Sequence, residues 1–376
     1  MSANEISAVE LAQQLIRLDS ANPPGGEAAC ARLLGELLER GGFEVSCHDF
    51  AHERTSLVAR LAGPGGDPLG FTGHLDTVPG GQAPWSFDPL AGEIDQGRLL
   101  GRGASDMKSG VAAVVAAALR LAGLVQGRGG LLLVFTAGEE TGCVGAEHLA
   151  QTPGALSRAG GLVVAEPTSN YPFIGHKGAL WLEATLRGKA AHGSMPKEGV
   201  NAIEKAARAI NSLAGLDFGQ APHPQLGRPT LNVGTIQGGT KINIVPDYAA
   251  FTLDVRTLPG QFLTEAEEII SKHLGGEVEL RRLLGADAVW TPEEDRWVQE
   301  VFAVMADLLG QTIQPKGATY FTDASSLVPA LGGPPTIILG PGEAVMAHQT
   351  DEYCLAAKIE EAVEAYFQIG RRWLGL

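Results

Sequence analysis

Apolar runs of four or five residues recur along the chain, each bounded by glycine, proline or polar residues. They lie at 69–72, 131–135, 161–165 and 335–339. Continuous runs of this length are typical of strands buried on both faces of a parallel sheet. Apolar residues spaced three and four apart predict helices, and alternation predicts further strands. These helices lie at 8–17, 27–41 and 111–122, and these strands at 43–47 and 56–61. The sequence therefore predicts an α/β fold with a mixed, mainly parallel sheet flanked by helices.

The middle of the chain follows a different order of elements, namely strand, helix, strand, strand, helix, strand. The strands are predicted at 180–186, 230–236, 248–255 and 278–283, and the helices at 202–213 and 263–274. This βαββαβ order is that of a ferredoxin-like, split βαβ unit. Sheet-type elements resume after residue 290. We therefore predict a sheet domain in two parts, 1–178 and 288–376, with an inserted domain at 179–287, in keeping with a length of 376 residues.

The chain carries a net charge of −15, which disfavours nucleic acid or an anionic membrane as a partner. Bound divalent cations would neutralise part of this charge. Residues 1–5 lack the basic and apolar regions of a signal peptide, and no apolar run approaches a membrane span, so we expect a cytoplasmic location. The cysteines, at 30, 47, 143 and 354, form no Cys-x-x-Cys pair. We predict buried free thiols rather than disulfides or a thiolate zinc site.

Ionisable residues lie a few residues after the ends of several predicted buried strands. They are His74 and Asp76 after the first apolar run, Glu139 and Glu140 after the second, Glu166 after the third, and His348 a short loop after the fourth. In open α/β sheets, ligands bind outside the carboxyl ends of the strands. The sequence therefore predicts that these side chains form one site.

His74 and Asp76 are two residues apart, so their side chains project to the same side of an extended chain. A neutral imidazole there can bind a metal ion, and the carboxylate can orient the imidazole. The alternative is a histidine in a polar loop with an aspartate that caps the turn. Asp106 follows a glycine-rich turn and can bridge two divalent ions, or it can cap the helix that begins there.

The adjacent pair Glu139 and Glu140 lies between a buried strand and Thr-Gly. Two neighbouring carboxylates repel each other unless a cation or a shared proton relieves them. One glutamate as metal ligand and the other as general base is a natural division. The alternatives are a solvated acidic loop for this pair, a solvent-facing strand end for Glu166 and a loop histidine for His348.

Taken together, these residues resemble the co-catalytic zinc amidohydrolases, which include aminoacylase, acetylornithine deacetylase, succinyl-diaminopimelate desuccinylase and the glutamate carboxypeptidases. The matching segments are GHLDTVP at 73–79, GRGASDMKSG at 101–110, GEETG at 138–142, EPT at 166–168, and His348. The resemblance covers essentially the whole chain, including the inserted domain.

The resemblance implies a site for two divalent metal ions in a catalytic domain formed by 1–178 and 288–376. One ion would be held by His74, Asp106 and Glu166, and the other by Asp106, Glu140 and His348. Glu139 would be the general base and Asp76 the partner of His74. Members of the family have a cis peptide bond after the bridging aspartate, so we expect one between Asp106 and Met107. Zinc is the expected metal, with cobalt and manganese as alternatives.

The resemblance also implies that the inserted domain is a lid through which the chain forms a homodimer. His192 would reach an active site across the dimer and stabilise the tetrahedral oxyanion, although a histidine in a Gly/Ser/Pro loop is often simply exposed. Asn243 and Arg256 resemble residues that hold the α-carboxylate of the substrate; Arg256 could equally be a surface salt-bridge partner. Asp323 matches a family loop and would orient the site.

The expected reaction is metal-dependent hydrolysis of the amide bond of an N-acyl-L-amino acid, with a bridging water as nucleophile. Enzymes of the acetylornithine deacetylase or succinyl-diaminopimelate desuccinylase type are the first expectation. A metallo-dipeptidase or glutamate carboxypeptidase acting on a dipeptide shares the same ligand set. A metal-free member of the fold, acting as a binding or dimerisation module, is a third alternative.

Overall fold

The computed structural model describes residues 7–125 and 129–376. Residues 1–5, on which the expectation about a signal peptide rests, lie outside the described residues. The helices are α1 (Ala8–Ile16), α2 (Ala28–Arg40), α3 (Ser109–Ala122), α4 (Val144–Gln151), α5 (Ala202–Ser212), α6 (Leu263–Leu274), α7 (Arg296–Leu309), α8 (Ala324–Ala330) and α9 (Ala356–Trp373).

The strands are β1 (Glu44–Ala51), β2 (Arg54–Gly65), β3 (Leu69–His74), β4 (Ile94–Asp95), β5 (Arg98–Leu100), β6 (Gly129–Thr136), β7 (Gly161–Val164), β8 (Gly175–His176), β9 (Gly178–Arg187), β10 (Ala191–His192), β11 (Thr230–Gly238), β12 (Ile244–Val245), β13 (Tyr248–Thr257), β14 (Val278–Ala286), β15 (Val289–Trp290), β16 (Thr336–Ile338) and β17 (Tyr353–Leu355). None of the helices in the described part of the chain is both long and apolar enough to cross a bilayer.

The described residues form two compact units. The first contains the residues up to Gly175 together with Trp290–Lys316 and Thr322–Leu376, and the second contains His176–Val289 and Gly317–Phe321. The divisions therefore fall within three residues of the boundaries expected from the sequence. The short segment Gly317–Phe321 belongs to the second unit because its residues pack there, which no sequence pattern indicated.

The first unit is built on a sheet whose described strands have the order β1-β2-β6-β3-β7-β16. Strands β6, β3, β7 and β16 are parallel to one another, whereas β2 pairs antiparallel with both β6 and β1. The predicted mixed, mainly parallel sheet flanked by helices is confirmed.

Strand β6 shows why continuous apolar runs occur in this unit. Leu131, Leu133 and Phe135 join a core cluster that contains residues of α1, α2, α3, α7 and α9. Leu132 and Val134 point to the opposite face and are also buried. Because side chains alternate along a strand, burial on both faces requires apolar residues at every position.

The second unit has the βαββαβ order expected for the middle of the chain. Its sheet has the strand order β11-β13-β9-β14, with antiparallel pairs throughout. Leu180 and Leu182 of β9 pack with residues of α5 and α6 on one face. On the other face, Trp181 lies against Phe321 in an edge-to-face contact. Burial on β9 therefore alternates, in contrast to β6.

The cysteines are free thiols in the described part of the chain. Cys30, Cys143 and Cys354 are buried as predicted, but Cys47 is exposed. The prediction of a buried thiol is wrong at Cys47 because it lies on β1, an edge strand on which partly buried and exposed side chains alternate.

Candidate metal centre

The parallel strands of the first unit deliver ionisable side chains to one edge of the sheet. Strand β3 ends at His74, β6 ends three residues before Glu139, and β7 ends two residues before Glu166. His348 follows β16 after a loop. Because these strands are parallel, their carboxyl ends share one edge.

His74 is almost fully buried and lies against Asp106. Its Nε2 atom is 3.0 Å from Oδ1 of Asp106, and its Nδ1 atom is 2.9 Å from the main-chain oxygen of Asp76. A carbonyl oxygen only accepts hydrogen bonds, so Nδ1 carries a proton and donates. The lone pair of a neutral ring then points from Nε2 toward a carboxylate. Such an arrangement needs a proton or a cation between the two atoms.

Asp106 lies between two histidines. Its other oxygen, Oδ2, is 3.5 Å from Nε2 of His348, and that nitrogen is 3.0 Å from Oε2 of Glu140. One potential ligand atom each from His74, Asp106 and Glu140 lie within 4.8 Å of one another. The geometry brings the two ends of the Asp106 carboxylate toward separate ligand groups.

Glu166 and Glu139 complete the acidic surroundings of His74. Oε1 of Glu166 is 3.8 Å from Nε2 of His74. Burial raises the pKa of Glu166 well above its ordinary range, and the charge of Asp106 raises it further. Burial likewise raises the pKa of Glu139 strongly, with His74 opposing the shift. Glu139 is only 7% exposed, so a proton acceptor of raised basicity lies beside the candidate ligands.

The residues fit a divalent metal site. Imidazole and carboxylate are the ligands that zinc, cobalt and manganese accept. The Oε1 atom of Glu140 is buried and has no hydrogen-bond partner among the described residues, although buried polar atoms are normally paired. Burial disfavours ionised carboxylates at Glu139, Glu140 and Glu166, and cations at this edge would relieve that cost.

The loop before α3 explains how Asp106 reaches this site. Asp106 and Met107 have non-helical backbone angles, and α3 begins only at Ser109. The cis peptide bond expected between Asp106 and Met107 is present. No side chain caps α3 in the described structure, so Asp106 is not a helix cap. A Cβ atom at position 73 would lie 2.8 Å from the end of the Met107 side chain, so glycine there leaves room for that side chain.

Asp76 acts mainly on the loop after β6. Its Oδ1 accepts a hydrogen bond from the main-chain nitrogen of Glu139 at 3.1 Å, and its Oδ2 accepts one from Glu140 at 3.2 Å. The expected contact with His74 is longer, 3.6 Å from Oδ1 to Nδ1, because the main-chain oxygen of Asp76 accepts from that ring nitrogen. The carboxylate therefore positions the adjacent glutamates.

Three polar residues near the site were not singled out from the sequence. Asn22 donates to Oδ2 of Asp76 at 2.8 Å, and Arg102 donates to the buried carboxylate of Glu352 at 2.6 Å. The sequence features that could have drawn attention to these residues are an asparagine before two prolines, an arginine between two glycines of a matching motif, and a glutamate four residues after His348. None of these patterns by itself predicts a contact with the site.

Asp323 lies next to the carboxyl end of β6, near the candidate metal ligands. It accepts a short hydrogen bond from the hydroxyl of Thr136, the last residue of β6. Burial raises the pKa of Asp323 to about 6. Its Oδ1 has no hydrogen-bond partner in the described part of the chain. This contact joins Asp323 to the last residue of β6, and the orienting role that the resemblance implied stays a prediction.

His192 and Asn243 lie in the second unit and are close to each other. Strand β10 pairs with β12, which aligns His192 with Ile244, and the main-chain nitrogen of Gly193 donates to the oxygen of Asn243 at 2.8 Å. Both residues are exposed. The Nδ1 atom of His192 is 2.7 Å from the hydroxyl of Ser194, which leaves Nε2 facing away from that contact.

Arg256, also in the second unit, is held in place by its neighbours. Its Nε and Nη2 atoms lie 2.9 and 3.1 Å from the two oxygens of Asp254, and its guanidinium lies over the ring of Phe321. Nη1 is buried without a hydrogen-bond partner among the described residues. The salt bridge considered from the sequence is present, and one donor group remains available.

Comparison with known proteins identifies the class. Residues 70–372 match the sequence profile of peptidase family M20/M25/M40. The acetylornithine deacetylase of Proteus mirabilis is 33% identical over 378 residues, covering 96% of this chain and 95% of that protein. A probable succinyl-diaminopimelate desuccinylase of Staphylococcus epidermidis is 27% identical over 405 residues, covering 99% and 98%. The chain therefore belongs to peptidase family M20/M25/M40, as the resemblance indicated.

Solved structures agree on the fold. An M20 family metallo-carboxypeptidase from Sulfolobus solfataricus superposes with a TM-score of 0.82 at 20% identity, covering 99% of this chain and 100% of that one. A Bacillus subtilis protein described as a dinuclear metal binding peptidase from the M20 family has a TM-score of 0.73 at 16% identity, with 98% of each chain covered.

The protein is a hydrolytic enzyme that acts on amides and belongs to a metallopeptidase family. This finding favours an enzyme over the alternative of a metal-free binding or dimerisation module. The described residues contain a group able to hold a metal ion.

Proposed function

We propose that this enzyme hydrolyses the amide bond of an N-acyl-L-amino acid with the help of two divalent metal ions. The observation that carries the proposal is the convergence of five side chains, Asp106 and four others near it, with a buried glutamate beside them. These side chains are His74, Asp106, Glu140, Glu166 and His348.

The proposed metal ligands form two groups, one at each oxygen of the Asp106 carboxylate. His74, Asp106 and Glu166 would hold one ion, and Asp106, Glu140 and His348 the other. Ions bound there supply Lewis acidity, which polarises a scissile carbonyl and makes water more acidic. Zinc is the proposed metal, and cobalt or manganese suits the same ligands.

Glu139 is the proposed general base. Its burial raises its pKa, which brings its basicity closer to that needed for proton transfer near neutral pH. It accepts a proton from the attacking water and then donates it to the departing nitrogen. Asp76 supports this role because it holds the main-chain nitrogen of Glu139.

The second unit is proposed to act as a lid that contributes to substrate recognition. The unpaired Nη1 of Arg256 supports a contact with the substrate α-carboxylate, since arginine binds carboxylates through directed N–H groups. Asn243 would assist in that contact, and His192 would stabilise the oxyanion. A homodimer formed through this unit is supported by β11, an edge strand of its sheet whose residues are largely exposed.

The relatives support the substrate class. The 33% identity to an acetylornithine deacetylase over almost the whole chain favours a deacylase of the acetylornithine or succinyl-diaminopimelate type. A dipeptidase or carboxypeptidase remains the second candidate, because the M20 metallo-carboxypeptidase shares the fold over the full chain. The expectation of a cytoplasmic location stays a prediction.

The test is a substrate panel offered to the zinc-loaded enzyme. We expect N-acetyl- or N-succinyl-amino acids to have a kcat/KM at least tenfold above that of dipeptides. The reverse order would favour the peptidase. Hydrolysis of neither class, by a protein shown to contain zinc, would overturn both.

A further inference from the structure

The loop that carries Asp106 is joined to the segment that carries His348 by a pair of short strands. Strand β17 pairs antiparallel with β5, so that Tyr353 lies opposite Leu100. Glu352 immediately precedes β17, and the loop of residues 101–106 immediately follows β5. The strand pairing therefore brings Glu352 against this loop.

The carboxylate of Glu352 is fully buried and accepts four hydrogen bonds from the loop. Oε1 accepts from the main-chain nitrogens of Ser105 at 2.8 Å and Asp106 at 3.0 Å. Oε2 accepts from the main-chain nitrogen of Gly103 at 2.9 Å and from Nη1 of Arg102 at 2.6 Å. A buried carboxylate is costly unless its oxygens are satisfied, so the loop must keep this conformation to satisfy them.

A second set of contacts joins the same two segments. The Ser105 hydroxyl donates to the main-chain oxygen of Tyr353 at 2.8 Å and accepts from the main-chain nitrogen of Glu343 at 3.1 Å. A Cβ atom on Gly342 would lie 2.2 Å from the main-chain oxygen of Ser105. The two segments therefore approach each other as closely as backbone allows.

We propose that Glu352 is a positioning residue of the metal centre. Its buried carboxylate holds the backbone of Asp106 in a fixed position relative to His348, which lies four residues before Glu352 in the chain. This inference rests on the proposed function. Asp106 has to direct one carboxylate oxygen toward His74 and the other toward His348, at 3.0 and 3.5 Å. Metal ligands lose affinity when the groups that orient them are removed.

The test is the zinc affinity of the metal-free protein, measured by competition with a chromophoric chelator. Glu352→Gln keeps the shape but replaces one acceptor oxygen with an NH₂ group. That group faces N–H donors, so at least one pair of loop hydrogen bonds is lost. We expect zinc affinity to fall about 10–100-fold, and substrate hydrolysis at limiting zinc to fall with it.

Asp295→Ala is the matched control. Asp295 lies in the same unit, and its carboxylate also accepts main-chain hydrogen bonds, from Trp297 at 2.8 Å and Val298 at 3.2 Å. It caps α7, and in the described part of the chain it has no hydrogen bond or ion pair with the proposed metal ligands. We expect this variant to have a lower Tm and a zinc affinity within twofold of the unmodified enzyme.

Zinc affinity within twofold of the unmodified enzyme in Glu352→Gln, together with a lower Tm, would overturn the inference and leave Glu352 as a purely structural residue. Should Glu352→Gln fail to fold, Glu352→Asp is measured in the same way. Aspartate keeps the charge, but its side chain is one methylene group shorter, so its oxygens lie farther from the loop. Zinc binding by the unmodified chain is measured alongside. Its absence would overturn the metal site itself, whereas normal binding in every variant would overturn only the role of Glu352.

Discussion

The carboxylate of Asp76 accepts a hydrogen bond of 3.1 Å from the main-chain nitrogen of Glu139. This contact joins the segment that follows His74, the last residue of β3, to the loop after β6. The same carboxylate accepts from Glu140 and from the side chain of Asn22. The position of the proposed base relative to His74 therefore depends on Asp76.

Replacing Asp76 with asparagine should lower kcat about 10–100-fold. The new NH₂ group faces main-chain N–H donors, so the loop that carries Glu139 loses an acceptor. Steady-state kinetics at saturating zinc will measure the effect. Asp88→Asn is the control, since Asp88 accepts a main-chain hydrogen bond from Leu90 in an exposed loop. Equal kcat in the two variants would contradict the role given to Asp76.

Glu139→Gln should abolish the proton transfer while keeping the zinc. Loss of a general base costs about 10²–10⁴-fold in rate, and an amide cannot accept the proton from water. We expect kcat to fall by that factor, with the bound zinc unchanged by elemental analysis. Glu147→Gln, at an exposed position in α4 of the same unit, serves as control. If Glu139→Gln retained more than a tenth of the activity, another residue would have to be the base.

Metal removal should abolish activity and lower the Tm. Chelation followed by dialysis removes the ions, and added zinc should restore both properties. A ligand at 100 times its Kd stabilises the folded state by about 2.7 kcal/mol. His348→Ala should reduce this zinc-dependent rise in Tm and halve the zinc content, because His348 belongs to only one of the proposed ligand groups. The exposed His52, replaced by alanine, should change neither quantity.

Arg256→Lys should raise KM for N-acyl-amino acids about tenfold, with a smaller effect on kcat. A lysine has a single ammonium and cannot pair with Asp254 through two atoms while presenting a further donor to a carboxylate. Arg281→Lys is the comparison variant, because Arg281 also pairs with a carboxylate, that of Glu183, on the same sheet. An unchanged KM in Arg256→Lys would remove Arg256 from the substrate site.

The stability of the protein should depend on pH through His176. This ring is fully buried, Nδ1 donates to the main-chain oxygen of Lys177 at 2.8 Å, and Nε2 has no partner among the described residues. Burial lowers the pKa of His176 from 6.5 to about 4. Between these values the unfolded chain binds a proton that the folded chain does not, so stability falls as the pH is lowered through this window. The contribution is about 2 kcal/mol between pH 7 and pH 5.

Urea unfolding at these two pH values measures this contribution. His176→Asn keeps a donor at the position of Nδ1 and has no titrating group. Its loss of stability on acidification should therefore be smaller than that of the unmodified protein by about 2 kcal/mol. His52→Asn is the matched exposed variant and should show the full loss. The same pH dependence in all three proteins would contradict the buried, neutral state of His176.

Much of the fold was predictable because the hydrophobic pattern records burial directly. A strand buried on both faces, such as β6, must be apolar at every position, whereas β9 alternates because its two faces have different neighbours. The ligand candidates were also predictable in outline, since parallel strands end at one edge of a sheet. His74 is the last residue of such a strand, and Glu139, Glu140 and Glu166 follow the ends of two others.

What the chain itself determined is therefore the class of fold, the order of its elements and the residue types able to bind metal. Tertiary structure alone decided three contacts. The carboxylate of Asp76 holds the Glu139 loop, Glu352 holds the backbone of Asp106, and Asn22 donates a hydrogen bond to Asp76. These contacts join residues 54 to 246 positions apart along the chain. A local pattern reports how a residue is buried, but a hydrogen bond depends on distances of a few ångströms that only the packed chain sets.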